Sequence, residues 1–178
     1  MSIIDERAYP TVAILDGELM ESLPAWPALV AGMDALAHAM DAVWSVGATD
    51  FSDNLAVTSA ATIIEQLPMA ALTNDLNAKQ RMLEASTMAN MATGIALPGL
   101  AHVLSQPLGR LHMSHGLGTG IMLPYAMEFN VPVASANIAP IARLLGEAGD
   151  DNALAESLLQ RLWELMEAVG FPTTLDPA

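Results

Sequence analysis

The chain contains no cysteine. That excludes disulfides and thiolate metal ligands, and leaves the redox compartment open. Cations are scarce: six Lys and Arg stand against 20 Asp and Glu, for a formal net charge of −14. So acidic a chain argues against a nucleic-acid partner, an anionic membrane surface or a strong phosphate site. Aromatic residues make up only 4%, which removes part of what favours strands. The opening Ser2-Ile3-Ile4-Asp5-Glu6-Arg7 has no basic start and no long apolar run, so no secretory leader is read there. No apolar run reaches membrane-spanning length without polar interruption. A soluble, cytoplasmic protein is the expectation.

Apolar residues are abundant, at 53% of 178 residues, including 12 Met. This length supports one domain with a real core, and the Ala-, Leu- and Met-rich composition favours an all-α fold. The exception is Tyr9-Pro10-Thr11-Val12-Ala13-Ile14-Leu15-Asp16, read as a short N-terminal strand with a turn at Asp16-Gly17. As an orphan strand it is expected to be swapped, paired in a dimer or loosely ordered.

Periodicity and punctuation predict a helix from about 27 to 46 ending at Gly47, and a second over roughly 52–72 that Pro68 kinks or splits near Gln66. A third helix is expected over about 75–97, with Lys79, Arg81 and Glu84 on its wet side and Met82, Leu83, Met88 and Met91 inside. A short helix carries His102 and ends at Pro107 and Gly109. A turn over about 110–116 holds His112 and His115. One helix then runs from about 117 to 129; Asn130 and Pro132 separate it from another near 133–146. A final amphipathic helix occupies about 152–169.

Chemistry concentrates in two segments. Asp34 and His38 stand four residues apart on an otherwise apolar stretch, so on a helix they leave one face a turn apart. A carboxylate on such a surface needs a partner. His102 and His115 are two of the four histidines in the chain. Three imidazoles and one carboxylate can make a pocket for one divalent transition metal and suit Fe²⁺, Zn²⁺, Co²⁺, Ni²⁺ or Mn²⁺. The run Gly116-Leu117-Gly118-Thr119-Gly120-Ile121 lacks the third glycine and the preceding strand of a dinucleotide-binding turn. Its glycines are read as close helix packing.

Gly32-Met33-Asp34-Ala35-Leu36-Ala37-His38-Ala39-Met40 resembles the G-M-D-A-L-x-H-A-x signature of iron-containing (group III) alcohol dehydrogenases. The run from His102 to Gly109 resembles their H-x-x-x-H-P-L-G. His115-Gly116, followed by Leu123-Pro124-Tyr125-Ala126-Met127-Glu128-Phe129-Asn130, resembles P-H-G-x…L-P-x-x-M-x-F-N. The resemblance implies the helical C-terminal domain of that family, with Asp34, His38, His102 and His115 as metal ligands. It implies Fe²⁺ as the metal and Zn²⁺ as a common substitute. It also implies hydride transfer between a small alcohol or aldehyde and NAD(P), held by a nucleotide-binding domain that is absent here.

Two departures stand out. Gln106 replaces the histidine of H-P-L-G and cannot titrate, and the segment before His102 is shorter than the family norm. Gln106 and the extra histidine His112, three residues before His115, are the candidates for a catalytic supporting role behind the ligands. The expected organisation is a strand and linker remnant over 1–24 and a helical metal-binding domain over 25–178. Expected partners are a small-molecule substrate, further copies in a homo-oligomer and possibly a separate nucleotide-binding chain. A metal-dependent hydrolase or lyase using activated water, and a non-catalytic metal-binding module, are the alternatives.

Overall fold

The computed structural model describes Arg7 and residues 10–175. Its helices are α1 (Ala25–Val43), α2 (Asp50–Pro68), α3 (Leu76–Ala96), α4 (Leu100–Ser105), α5 (His115–Leu144) and α6 (Asp151–Ala168). Short 3-10 turns occupy Gly17–Met20 and Gln106–Leu111, and a π turn follows Pro68 over Met69–Thr73. The fold is the expected all-α bundle.

The expected N-terminal strand is not formed among the described residues; Tyr9, its first residue, lies outside them. A strand needs a neighbour to complete its backbone hydrogen bonds, and no other described segment offers one. Residues 10–16 instead run irregularly to α3. There the Gln80 side chain accepts from the Gly17 amide at 2.7 Å and donates to the Leu15 carbonyl at 3.3 Å.

Helix α1 is apolar on nearly every side, and such a helix is stable only when surrounded. It touches α2, α3, α4 and α5, and Met33, Leu36, Ala37, Ala39 and Met40 are fully buried. Alanines at 56, 60, 85, 89 and 92 let α2 and α3 close on the same core. Helix α6 closes the other end, against α5.

Lys79, expected on the wet side of α3, is buried. Its ammonium donates to the Met20 carbonyl at 2.5 Å, the Glu21 carbonyl at 3.3 Å and the Asn74 side chain. Three acceptors use its three protons, which explains how a lysine tolerates that position. Met91, expected inside, is exposed.

The break expected at Asn130 and Pro132 is absent. Helix α5 runs unbroken through Pro124, Pro132 and Pro140. Buried Ile121, Leu123, Met127, Val131, Ala134, Ile138 and Ile141 hold it along its length. Pro132 itself faces solvent, where a backbone carbonyl left without its helical donor costs little. His115 accordingly sits in the first turn of a helix rather than in a loop.

The helical stretch Asp50–Thr73 is long and apolar enough to cross a membrane by length and composition, contrary to expectation. More than half of its most apolar window is buried within the bundle, as in the core helix of a folded domain.

Leu97 closes α3 at φ 70°, ψ 153°, a region otherwise almost confined to glycine that costs about 1–3 kcal/mol. Pro98 follows and disfavours a helical alternative. The Leu97 side chain is 62% exposed and so recovers little by burial. Leu97→Gly is expected to stabilise the fold by about 1 kcal/mol after the entropy cost of a new glycine, read as a higher urea midpoint.

Candidate metal centre

Three helices bring four donors together. Asp34 and His38 project from one face of α1, His102 from α4 and His115 from the first turn of α5. One ligand atom from each lies within 4.8 Å of all the others. His38 Nε2 is 3.3 Å from His102 Nε2 and 3.8 Å from Asp34 Oδ2. Asp34 Oδ1 is 3.5 Å from His115 Nε2 and 3.9 Å from His102 Nε2. An ion holding donors tetrahedrally at about 2.1 Å keeps them roughly 3.4 Å apart, close to these separations.

Hydrogen bonding makes the same point. Asp34 Oδ1 is buried with no hydrogen-bond partner among the described residues. A buried acceptor left unmade is costly, and a cation at this position would satisfy it. The residues present therefore fit a divalent ion.

The approach of α5 to α1 depends on a missing side chain. A Cβ on Gly116 would stand 2.9 Å from the Val30 carbonyl oxygen and 3.2 Å from Asp34 Cβ. The glycine-rich run thus acts as close packing and brings His115 over Asp34.

The sequence reading missed Asp41. It is completely buried, and its carboxylate accepts from four N–H groups. Oδ2 takes His102 Nδ1–H at 2.8 Å and the His102 amide at 3.1 Å. Oδ1 takes the Ala101 amide at 3.1 Å and Trp44 Nε1–H at 3.0 Å. Helix α4 has no side-chain cap of its own, so Asp41 supplies one from across the core. The same carboxylate places the His102 proton on Nδ1 and leaves the Nε2 lone pair facing the other donors. Gly99 makes room, since a Cβ there would meet Asp41 Oδ1 at 2.8 Å. A signal was available: Asp41 stands one turn beyond His38 in an otherwise apolar run.

Gln106 and His112 are exposed and lie outside the group of four. Gln106 opens the 3-10 segment, its backbone N–H donating to the His102 carbonyl. His112 ends that segment in the left-handed conformation. A largely apolar cavity of about 100 Å³ lies between the N-terminal arm, α1, α2 and α3, and none of the four donors lines it.

Burial, with His102 close by, pushes the His38 imidazole down to about 4, against an ordinary 6.5. The unfolded chain therefore takes up this proton near pH 6.5 and the folded chain only near pH 4. Stability of the metal-free protein should fall as pH drops through that window and level off below it, with His38 contributing up to about 3 kcal/mol. Urea unfolding at pH 7, 5 and 4, compared with His38→Gln, checks this; the variant should lack that component.

A helical bundle that gathers three imidazoles and a carboxylate from separate helices defines a class: all-α domains with a transition-metal donor set. Within it the chain belongs to the Fe-containing alcohol dehydrogenase family, whose C-terminal region matches residues 28–178. It is 40% identical over 163 residues to a probable alcohol dehydrogenase, EutG, of Escherichia coli (strain K12), covering 90% of this chain and 40% of that protein. It is 36% identical over 177 residues to an NADPH-dependent butanol dehydrogenase of Clostridium saccharobutylicum, covering 97% and 45%. The solved iron-containing alcohol dehydrogenase of Thermococcus thioreducens superposes with a TM-score of 0.85 at 35% identity, covering 96% of this chain and 44% of that one. The chain thus spans less than half the length of these relatives.

Proposed function

We propose that Asp34, His38, His102 and His115 hold one divalent transition-metal ion, Fe²⁺ foremost and Zn²⁺ as a substitute. On this reading the chain is the metal-bearing part of an NAD(P)-linked oxidoreductase for small alcohols or aldehydes. The observation that carries it is the meeting of four donors from three helices around the unpartnered Asp34 Oδ1. Family membership supports the reaction class.

When bound, the cation supplies Lewis acidity toward the alcohol or carbonyl oxygen. The chain's own residues set that up. Asp41 holds His102 in the tautomer that presents Nε2. The depressed basicity of His38 keeps its lone pair free at neutral pH. Asp34 is the one anionic donor among the four. His115, 58% exposed, opens the cluster to solvent and marks the entrance for substrate. Gln106, one turn from His102, can hydrogen-bond a substrate but cannot take up its proton.

This chain shows no phosphate cradle of the dinucleotide-binding kind. On this reading a separate nucleotide-binding chain holds the nicotinamide, with residues 25–178 as the metal-binding domain and 1–24 as a linker remnant. A cytoplasmic homo-oligomer remains the working assembly.

The test is anaerobic reconstitution with Fe²⁺ or Zn²⁺ in the presence of the chain that supplies the nucleotide-binding domain, followed by NAD(P)H formation from 1-butanol and NAD(P)H consumption with butanal. Metal-dependent turnover requiring nicotinamide is the expected result. Metal-dependent ester or lactone cleavage without nicotinamide would overturn the oxidoreductase reading.

A further inference from the structure

Two of the four donors come from the short helix α4 and the exposed start of α5. Helix α4 has only six residues, and His115 is exposed in the first turn of α5. One turn deeper, Ser105 and Thr119 meet. Both are buried, and Ser105 Oγ lies 3.1 Å from Thr119 Oγ1. Ser105 reaches back to the His102 carbonyl at 2.9 Å, and Thr119 reaches back to the His115 carbonyl at 2.9 Å. Two hydroxyl protons serve these three contacts. One hydroxyl donates to the other, and the second donates to its own histidine carbonyl. The hydroxyl pair thus ties α4 to α5 beside the peptides of both candidate ligands, with one of the two histidine carbonyls accepting at a time, where solvent does not replace a lost partner. The space beside Gly118 is bounded by the Leu108 and Met113 side chains, which are apolar and carry no comparable directionality.

We propose that the Ser105–Thr119 bridge is the positioning element that fixes the His102–His115 separation, the two rings standing 5.4 Å apart between centroids. The inference rests on the metal-centre reading above. The two hydroxyls hold α4 against α5 at one level so that the imidazoles meet at the next. Neither residue touches the cation; both act through the histidines.

The experiment uses the whole chain with Co²⁺ as probe. The variants are Ser105→Ala, Thr119→Val, Thr119→Ser and the double Ser105→Ala/Thr119→Val. Affinity is read by competition with a chromophoric chelator, geometry by the Co²⁺ d–d absorption, and folding by urea unfolding without metal. Each hydroxyl deletion should weaken Co²⁺ binding by about 10-fold, the lower end for outer-shell partners, and shift the d–d envelope. Thr119→Ser, which keeps the hydroxyl, should bind within about threefold of wild type with the wild-type spectrum. The double variant should be no weaker than the weaker single one, since one bridge breaks only once.

Folded Ser105→Ala or Thr119→Val protein with wild-type affinity and spectrum would overturn the inference while leaving the metal centre intact. A Thr119→Ser variant as weak as Thr119→Val would overturn it in favour of methyl packing. Should Thr119→Val fail to fold, Ser105→Ala, the smaller change, decides alone. Wild-type protein that takes up no Co²⁺ would overturn the metal centre and this inference together.

Discussion

Asp34→Ala is expected to weaken binding of Co²⁺, Zn²⁺ or Fe²⁺ by more than about 100-fold, beyond the 10–100-fold typical of outer-shell losses. In the metal-free protein the same substitution should be stabilising, by about 1 kcal/mol. The two effects share one cause. Asp34 Oδ1 is buried without a hydrogen-bond partner among the described residues, so its desolvation is uncompensated until a cation arrives. Removing the carboxylate relieves that cost and takes away the single anionic donor of the four. With cation at a thousandfold excess over the wild-type dissociation constant, wild type should gain about 4 kcal/mol and the variant at most about 1.4 kcal/mol. The order of the two melting temperatures should therefore reverse on adding metal. A structural carboxylate would behave otherwise: its loss would destabilise the metal-free protein and leave the response to metal unchanged.

The second large effect belongs to Asp41. Asp41→Ala strands four N–H groups: His102 Nδ1–H and the Trp44 indole N–H, and the amides of Ala101 and His102 in the first turn of α4. Buried donors left unmade cost about 1–3 kcal/mol each before relaxation. A net loss of about 3–4 kcal/mol is expected, together with a 10–100-fold loss of metal affinity as His102 is freed to change tautomer and swing. Asp41→Asn keeps the volume but turns an NH₂ toward donors, so it should recover little of either. Urea unfolding reads the stability and a Zn²⁺ titration the affinity. Trp44, bonded to the same carboxylate, offers a fluorescence signal for the local change. Equal affinity in wild type and Asp41→Asn would show that His102 needs no such support.

The candidate donors were legible because each lies in a short motif: Asp34 and His38 by helical spacing, His102 and His115 by the runs around them. Class and most helix positions were legible from periodicity. Interactions set by tertiary partners were not. Pro132 reads as a helix breaker until the buried faces on both sides of it are seen to hold α5 together. Lys79 reads as a solvent residue because its acceptors, the carbonyls of Met20 and Glu21, lie about 60 residues away in the chain. The Tyr9–Asp16 run has strand composition, but strand formation depends on a neighbour more than on propensity. Asp41, Ser105 and Thr119 are the instructive omissions. None occupies a specified position of a motif, and their roles follow from the distance of one helix to another.

The most direct test of the central claim is the transition-metal content of the purified chain, measured by elemental analysis after anaerobic reconstitution and removal of free ion. One Fe²⁺ or Zn²⁺ per chain, bound through nitrogen and oxygen alone because the chain has no cysteine, is the result this account predicts. Protein that is folded yet retains no stoichiometric metal would contradict it.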